Sequence, residues 1–420
     1  MRTIVPDWLT RDAKILILAS SVRMFGQGFI SVALAVYLAT IGLSLLQIGM
    51  YFSVGGAGAA LFAFAVAFIS ERFGRRNLLV FFTLTTALGV VGLIVTDNIL
   101  VLVVFAFVGA LSGAPGGATG ATQPLVQAGL AENGPATRRT DIFATYRIVN
   151  TFARAFGALS AGLPTVLQSN FGLSEVAAFR VLLGALVASL LLASLMYAML
   201  SGGPSETRSR GWTNPFTLPS RRVIFTLGGL FTVDSFGGAL LIQSLVAYWF
   251  STKFGMDIGT LSVVFFGSEL LTALSLWFAA KIANRIGLLN TMVFTHIPSS
   301  LFLFAAAFAP EAWIAVVFWQ LRAFFSQMDV PTRDSYIMAI VGSEERVAMA
   351  SSQAIGRSAA TAVGPYASTL MWSAFSATAP FVACGVIKIA YDLSLWFMFR
   401  DIKPPEESRS AAPGEERARA

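Results

Sequence analysis

Cysteine occurs once in these 420 residues, at Cys384, and histidine once, at His296. One cysteine excludes a disulfide framework, and a single histidine beside it leaves no metal-ligand cluster. No metal or cofactor is therefore expected. Charge is also scarce: Asp, Glu, Lys and Arg together make up 12% of the chain, about half the level of soluble domains. The glycine-rich stretch GALSGAPGGATGATQP (109–124) lacks the Lys-Ser/Thr that would make it a phosphate loop. There is no nucleophile–base pair either, so an enzyme is not expected. No cleavable signal is expected, because the first apolar run is long enough to be an insertion signal in its own right.

What is present is apolar. Hydrophobic residues make up 56% of the chain and the mean hydropathy is +0.72. A bilayer core about 30 Å thick needs roughly 20 apolar residues per crossing. Runs between charge clusters and Gly/Pro breaks predict twelve helices, at 15–39, 48–70, 78–96, 99–130, 142–167, 176–200, 222–250, 259–281, 290–309, 312–341, 348–372 and 379–399. The reading is an all-α integral membrane protein with both termini on one side. Twenty of the 29 Lys and Arg fall in the segments on that side, against Lys253 alone opposite. Positive charge gathers on the cytoplasmic side, so both termini are expected there. This also accounts for the net charge of +7: the basic residues flank spans and form no nucleic-acid-binding patch. The expected partners are the lipid bilayer, a small solute and protons, with the chain a monomer.

The longest polar connection, SGGPSETRSRGWTNPFTLPSRR (201–222), divides six predicted helices from six. The expected organisation is an N-terminal bundle (1–200), a linker (201–221), a C-terminal bundle (222–402) and a disordered tail (403–420). RMFGQGFISVALAVY (23–37) aligns without gaps to DSFGGALLIQSLVAY (234–248), and AFISERFG (67–74) to AKIANRIG (280–287). A third pair, PLVQAGLAENGPATRR (124–139) and PTRDSYIMAIVGSEER (331–346), keeps the same order. Internal duplication of a helical unit is a transporter signature, with binding sites near the midplane between the halves.

AFISERFGRRNLL (67–79) resembles the signature loop of the major facilitator superfamily, Gly-x-x-x-Asp-Arg-x-Gly-Arg-Arg. Ala67 stands for the first Gly and Glu71 for the Asp, while Arg72, Gly74, Arg75 and Arg76 match. The resemblance implies two pseudo-symmetric six-helix bundles around a central cavity, moving solute by alternating access. It also implies that Glu71, Arg72, Gly74, Arg75 and Arg76 form a cytoplasmic latch. Drug:proton antiporters of that superfamily carry Gly-x-x-x-Gly-Pro-x-x-Gly-Gly in helix 5, whereas this helix reads FARAFGALSAGLP (152–164), with no Pro after Gly157. Multidrug efflux is therefore the rival reading within the class, and a transport-inactive sensor the rival outside it.

Eight basic residues fall inside the predicted helices: Arg23, Arg147, Arg154, Arg180, Arg322, Arg333, Arg357 and Lys388. The acids there are Asp234, Glu269, Asp329, Asp334 and Asp392. A charge at mid-helix costs about 2.5–3.5 kcal/mol on insertion scales, so these groups must pair or line a wet cavity. Arg147, Arg333 and Asp334 lie nearer the cytoplasmic ends, where arginine snorkels. Lys388 and Asp392 share a helix face and can neutralise one another. His296 reads as a capping or interfacial residue.

In the superfamily helices 1, 4, 7 and 10 line the cavity and 2, 5, 8 and 11 wall it. The resemblance thus makes Arg23, Gln27, Gln123, Gln127, Arg154, Asp234, Arg322 and Arg357 substrate-binding candidates. An excess of arginine suits a solute with an anionic group. The competing reading pairs Arg23 with Asp234, and Arg357 with Glu269 or Asp329, which leaves the cavity nearly neutral. Glu269 is the first candidate for proton coupling and Asp234 the second, since a desolvated carboxylate titrates nearer physiological pH.

Overall fold

The structure, a computed structural model, describes residues 9–112, 121–133, 138–201, 218–340 and 345–402, all regular elements among them being helical. In chain order, α1 (Arg11–Thr40), α2 (Leu45–Phe73) and α3 (Arg75–Val95) each cover one predicted span. The fourth span is delivered as α4 (Ile99–Gly109) and α5 (Thr122–Glu132), the fifth as α6 (Arg139–Ser160) and α7 (Leu163–Phe171). α8 (Glu175–Ala198) is continuous, and the seventh span is split into α9 (Arg221–Leu240) and α10 (Gln243–Phe254). α11 (Ile258–Ile286) and α12 (Leu288–Ala307) follow, then a split tenth span, α13 (Ala312–Phe325) and α14 (Asp329–Ile340). α15 (Arg346–Ala374) and α16 (Ala379–Phe399) complete the described helices. Among the described residues, eight helical segments are long and apolar enough to cross a membrane.

The breaks correct spans read as continuous, and two carry a covalent reason. Pro164 and Pro331 lie in the first turns of α7 and α14. Proline has no N–H for the preceding turn, so each marks a fresh helix start. α4 ends at Ala110, which takes a left-handed conformation, and 113–120 lie outside the described residues. The α9–α10 break has no proline. There Leu241 and Ile242 leave the helix, with Ile242 extended.

Helix starts follow ordinary capping chemistry. Thr10 Oγ1 accepts from the Ala13 N–H at 3.2 Å, Asn98 Oδ1 from Leu100 N–H at 2.9 Å, and Ser174 Oγ from Ala177 N–H at 3.3 Å. Gly74 and Gly287 occupy matching places in the repeated loops and both take positive φ, 72° and 87°. A side chain is strained there, which explains glycine at both.

The chain packs as two compact units. One comprises Met1–Ser209, Ala239–Glu269 and Thr361–Ala377, the other Arg210–Gly238, Leu270–Ala360 and Thr378–Ala420. In the first, Leu16, Leu79, Phe82, Leu130 and Tyr197 form a buried core. α1 crosses α6 at glycines: a Cβ on Gly28 would strike the Arg154 carbonyl, and one on Gly157 the Phe25 carbonyl. Gly157→Ala is expected to push the two helices apart at a cost of roughly 1–3 kcal/mol, the range for overpacking. A lowered melting temperature of the detergent-solubilised protein checks this; an unchanged one would mean the crossing is looser.

In the second unit α12 packs against α13, α14 and α16, over a core of Leu227, Met292, Tyr336, Tyr391 and Leu395. Large apolar side chains such as Phe64, Leu100, Trp313 and Phe375 stay exposed on the helix surfaces, as a hydrocarbon solvent permits and water does not.

Candidate functional site

In the first unit Arg23 is 8% exposed and Gln27, one turn on, 7%. α1 is a single unbroken helix here, so Arg23 is carried to depth and cannot reach a helix end. Its Nε makes no hydrogen bond and it has no carboxylate partner among the described residues. Arg23 lines a narrow recess of about 10 Å³ with Phe62, Phe82, Thr85, Thr86 and Thr122, room for one water. Gln123 is exposed on α5 and Gln127 half-buried.

Arg154 on α6 forms an ion pair with Glu269 on α11, with side chains 20% and 5% exposed. The rings of Phe156 and Phe266, on the same two helices, lie 5.7 Å apart. The competing reading had offered Arg357 to Glu269 or Asp329; Glu269 takes Arg154 instead, and Arg357 lies exposed on α15. Arg180 bonds Asp97 at 2.6 Å and reaches the Tyr37 hydroxyl at 3.3 Å. Segments from the second half of the sequence interlock with the first half inside this unit. The Ser244 hydroxyl on α10 is shared between the Ile30 and Ser31 carbonyls of α1, at 2.9 and 3.0 Å. The Tyr366 N–H on α15 donates to Ser53 Oγ of α2 at 2.9 Å.

The second unit holds a longer network. Asp234 on α9 receives Lys388 Nζ at 2.7 Å on one oxygen and Arg333 at 3.1 Å on the other. Arg333 also pairs with Asp329, one turn earlier on α14. This corrects two expected pairs: Asp234 is held by Lys388 and Arg333, not Arg23, and Asp329 by Arg333, not Arg357. It also corrects the placement of Arg333, whose side chain is 14% exposed in the cluster rather than snorkelling. The Asp334 side chain lies outside the described residues.

Lys388 and Asp392 share a face as expected but do not neutralise one another. Asp392 Oδ1 lies 2.9 Å from His296 Nδ1, and Lys388 Nζ is 3.3 Å from Nε2 of the same ring. His296 is therefore buried, 3% exposed, and bridges α12 to α16; the capping or interfacial reading fails. Arg322 makes no ion pair among the described residues and stacks on Trp319, its guanidinium 4.7 Å from the ring centre.

The latch motif is partly visible. Gly74 starts α3 with its positive φ, and Arg75 bonds Glu132 at the end of α5 at 2.6 Å. Arg72 sits over Phe73, Arg76 is exposed, and the Glu71 side chain lies outside the described residues. Glu132 was missed as a partner because nothing in sequence spacing links it to Arg75.

Apolar helices with buried ion pairs at depth, built on a duplicated chain, define a polytopic membrane carrier. Comparison with known proteins gives the particular family. The Major Facilitator Superfamily model matches residues 16–247 and 227–419. A Saccharomyces cerevisiae uncharacterized membrane protein is 22% identical over 424 residues, covering 93% of this chain and 94% of its own. The crystal structure of the nucleoside transporter NupG superimposes with a TM-score of 0.72 at 14% identity, covering 93% and 99%. That of a D-xylose–proton symporter does so with a TM-score of 0.68 at 14% identity, covering 91% and 96%. The chain belongs to the Major Facilitator Superfamily: it is a membrane transporter and not an enzyme.

Proposed function

We propose that this chain moves a small solute bearing an anionic group by alternating access, coupled to protons, as a monomer in the cell membrane with both termini cytoplasmic. Twelve spans in two six-helix repeats, 1–200 and 222–402, joined by 201–221, are the architecture this reading uses. The observation that carries the anionic part is the division of the deep cations into two groups. Arg154, Arg180, Arg333 and Lys388 each have a carboxylate. Arg23 and Arg322 have none among the described residues and are the guanidinium groups left for an incoming anion. Gln27 adds an amide beside Arg23, with Gln123 and Gln127 as further polar contacts.

The Ser244 and Tyr366 contacts support the reading of a gate at the helix ends opposite the linker. There α10 is tied to α1 by one shared hydroxyl and α15 to α2 by one backbone N–H, and a hydrogen bond is worth about 1 kcal/mol. Such ties hold one state without locking it. Glu71, Arg72, Gly74, Arg75 and Arg76 would form the latch at the other end, with Arg75 held ready by Glu132. A structural neighbour is a proton symporter by its own description, which agrees with proton coupling here.

The test is purified protein in liposomes under an imposed pH gradient, with labelled organic anions and neutral analogues of equal size. Anion flux should exceed neutral flux, and Arg23→Gln should lower it ten- to 100-fold, the loss of about 1.5–3 kcal/mol for one charged hydrogen bond. Neutral solutes moving as fast as anions, or anion flux indifferent to both Arg23→Gln and Arg322→Gln, would overturn the anionic reading.

A further inference from the structure

Asp392 is 1% exposed, yet only one of its carboxylate oxygens is satisfied. Oδ1 accepts from His296, while Oδ2 is buried with no hydrogen-bond partner. A bare anionic oxygen in such a place is costly, and a proton on it removes the cost. Neither cation beside Asp392 forms an ion pair with it: Arg333 is held by Asp234 and Asp329, and Lys388 by Asp234.

The hydrogen-bond directions fix where that proton can go. Lys388 donates to Asp234 and has only donors to offer, so the imidazole Nε2 facing it at 3.3 Å must accept. Nδ1 then carries the ring hydrogen and donates to Asp392. A proton on Nε2 would displace Lys388 and face its charge. A proton on Oδ2 displaces nothing. The other groups around His296 do not compete: Arg322 on α13 stacks on Trp319, Tyr391 on α16 presents its ring edge, and Arg333 on α14 is engaged with Asp329 and Asp234.

We propose that Asp392 is a buried, exchangeable proton-binding site, and that His296 relays its charge state to the Lys388–Asp234 bond. When Asp392 is ionised it polarises the imidazole, and Nε2 is a strong acceptor that shares Lys388. When Asp392 is protonated that pull weakens and Lys388 rests on Asp234 alone. Its consequence for transport rests on the proton-coupled reading above.

Infrared difference spectroscopy of the whole protein in lipid nanodiscs, between about pH 9 and about pH 5, reads the site without any substrate. A carboxylic-acid carbonyl band should appear on acidification and be missing in Asp392→Asn. Because the chain has one histidine, ¹⁵N-histidine labelling gives one imidazole, whose Nε2 shift should move in step with the band. No band attributable to Asp392, or one present at every pH, overturns the proposal. Should Asp392→Asn not fold, Lys388→Gln serves: removing the neighbouring cation should move the band to higher pH by roughly one unit or more, and an unmoved band overturns the site. Wild-type flux indifferent to the pH gradient would overturn proton coupling while leaving the band as it stands, so the two failures are distinguishable.

Discussion

Glu269→Gln is expected to abolish gradient-driven accumulation while leaving solute exchange across the membrane intact. The amide has the shape of the protonated acid, so the variant imitates one protonation state permanently. In the wild type the ionised carboxylate holds Arg154 across α6 and α11, and charge-assisted bonds of this kind are about twice as strong as neutral ones. Protonation therefore loosens a contact between segments from the two halves of the chain. Asp234, the other coupling candidate, is shared by two cations, so one proton would have to release both. Counterflow of preloaded label, set against uptake driven by an imposed pH gradient, separates the two activities. Full gradient-driven uptake in Glu269→Gln would remove Glu269 from the coupling role.

Asp234→Asn should be the more damaging change for the fold itself. It leaves Lys388 and Arg333 facing a neutral amide in a buried cluster, and truncating one partner of a buried ion pair costs about 3–5 kcal/mol. The lost species is the carboxylate that joins α9 to both α14 and α16. Thermal loss of the monodisperse size-exclusion peak is the measurement, with an early melting transition expected. Asp234→Asn combined with Lys388→Met should recover part of the loss, because one unpaired cation is then gone. A single variant as stable as wild type would show that Arg333 and Lys388 find other acceptors at no cost.

The helical architecture was largely legible because apolar run length is a one-dimensional property. The prolines at 164 and 331 even mark two of the helix breaks, although the apolar runs read straight across them. The break at Leu241–Ile242 had no such mark. Ion pairs were legible in kind and not in identity: the deep charges were expected to pair or to line a wet cavity, and the competing reading gave Asp234 to Arg23, whereas Glu269 takes Arg154 and Asp234 takes Lys388 and Arg333. Which charges meet depends on helix crossings, and spacing along the chain carries no record of those. His296 is the clearest case. Its place between Asp392 and Lys388 depends on how α12 lies against α16, and a lone histidine in an apolar run gives no hint of it.

The joint between α9 and α10 has a mechanical consequence. α1 and the α9–α10 segment descend from matching stretches of the duplicated sequence, yet one is an unbroken 30-residue rod and the other a knee. Bending the rod would rupture helical hydrogen bonds, whereas the knee can flex about Leu241 and Ile242 and leave those on both sides whole. Of two stretches that align in the sequence, one is thus stiff along its whole length and the other carries a joint.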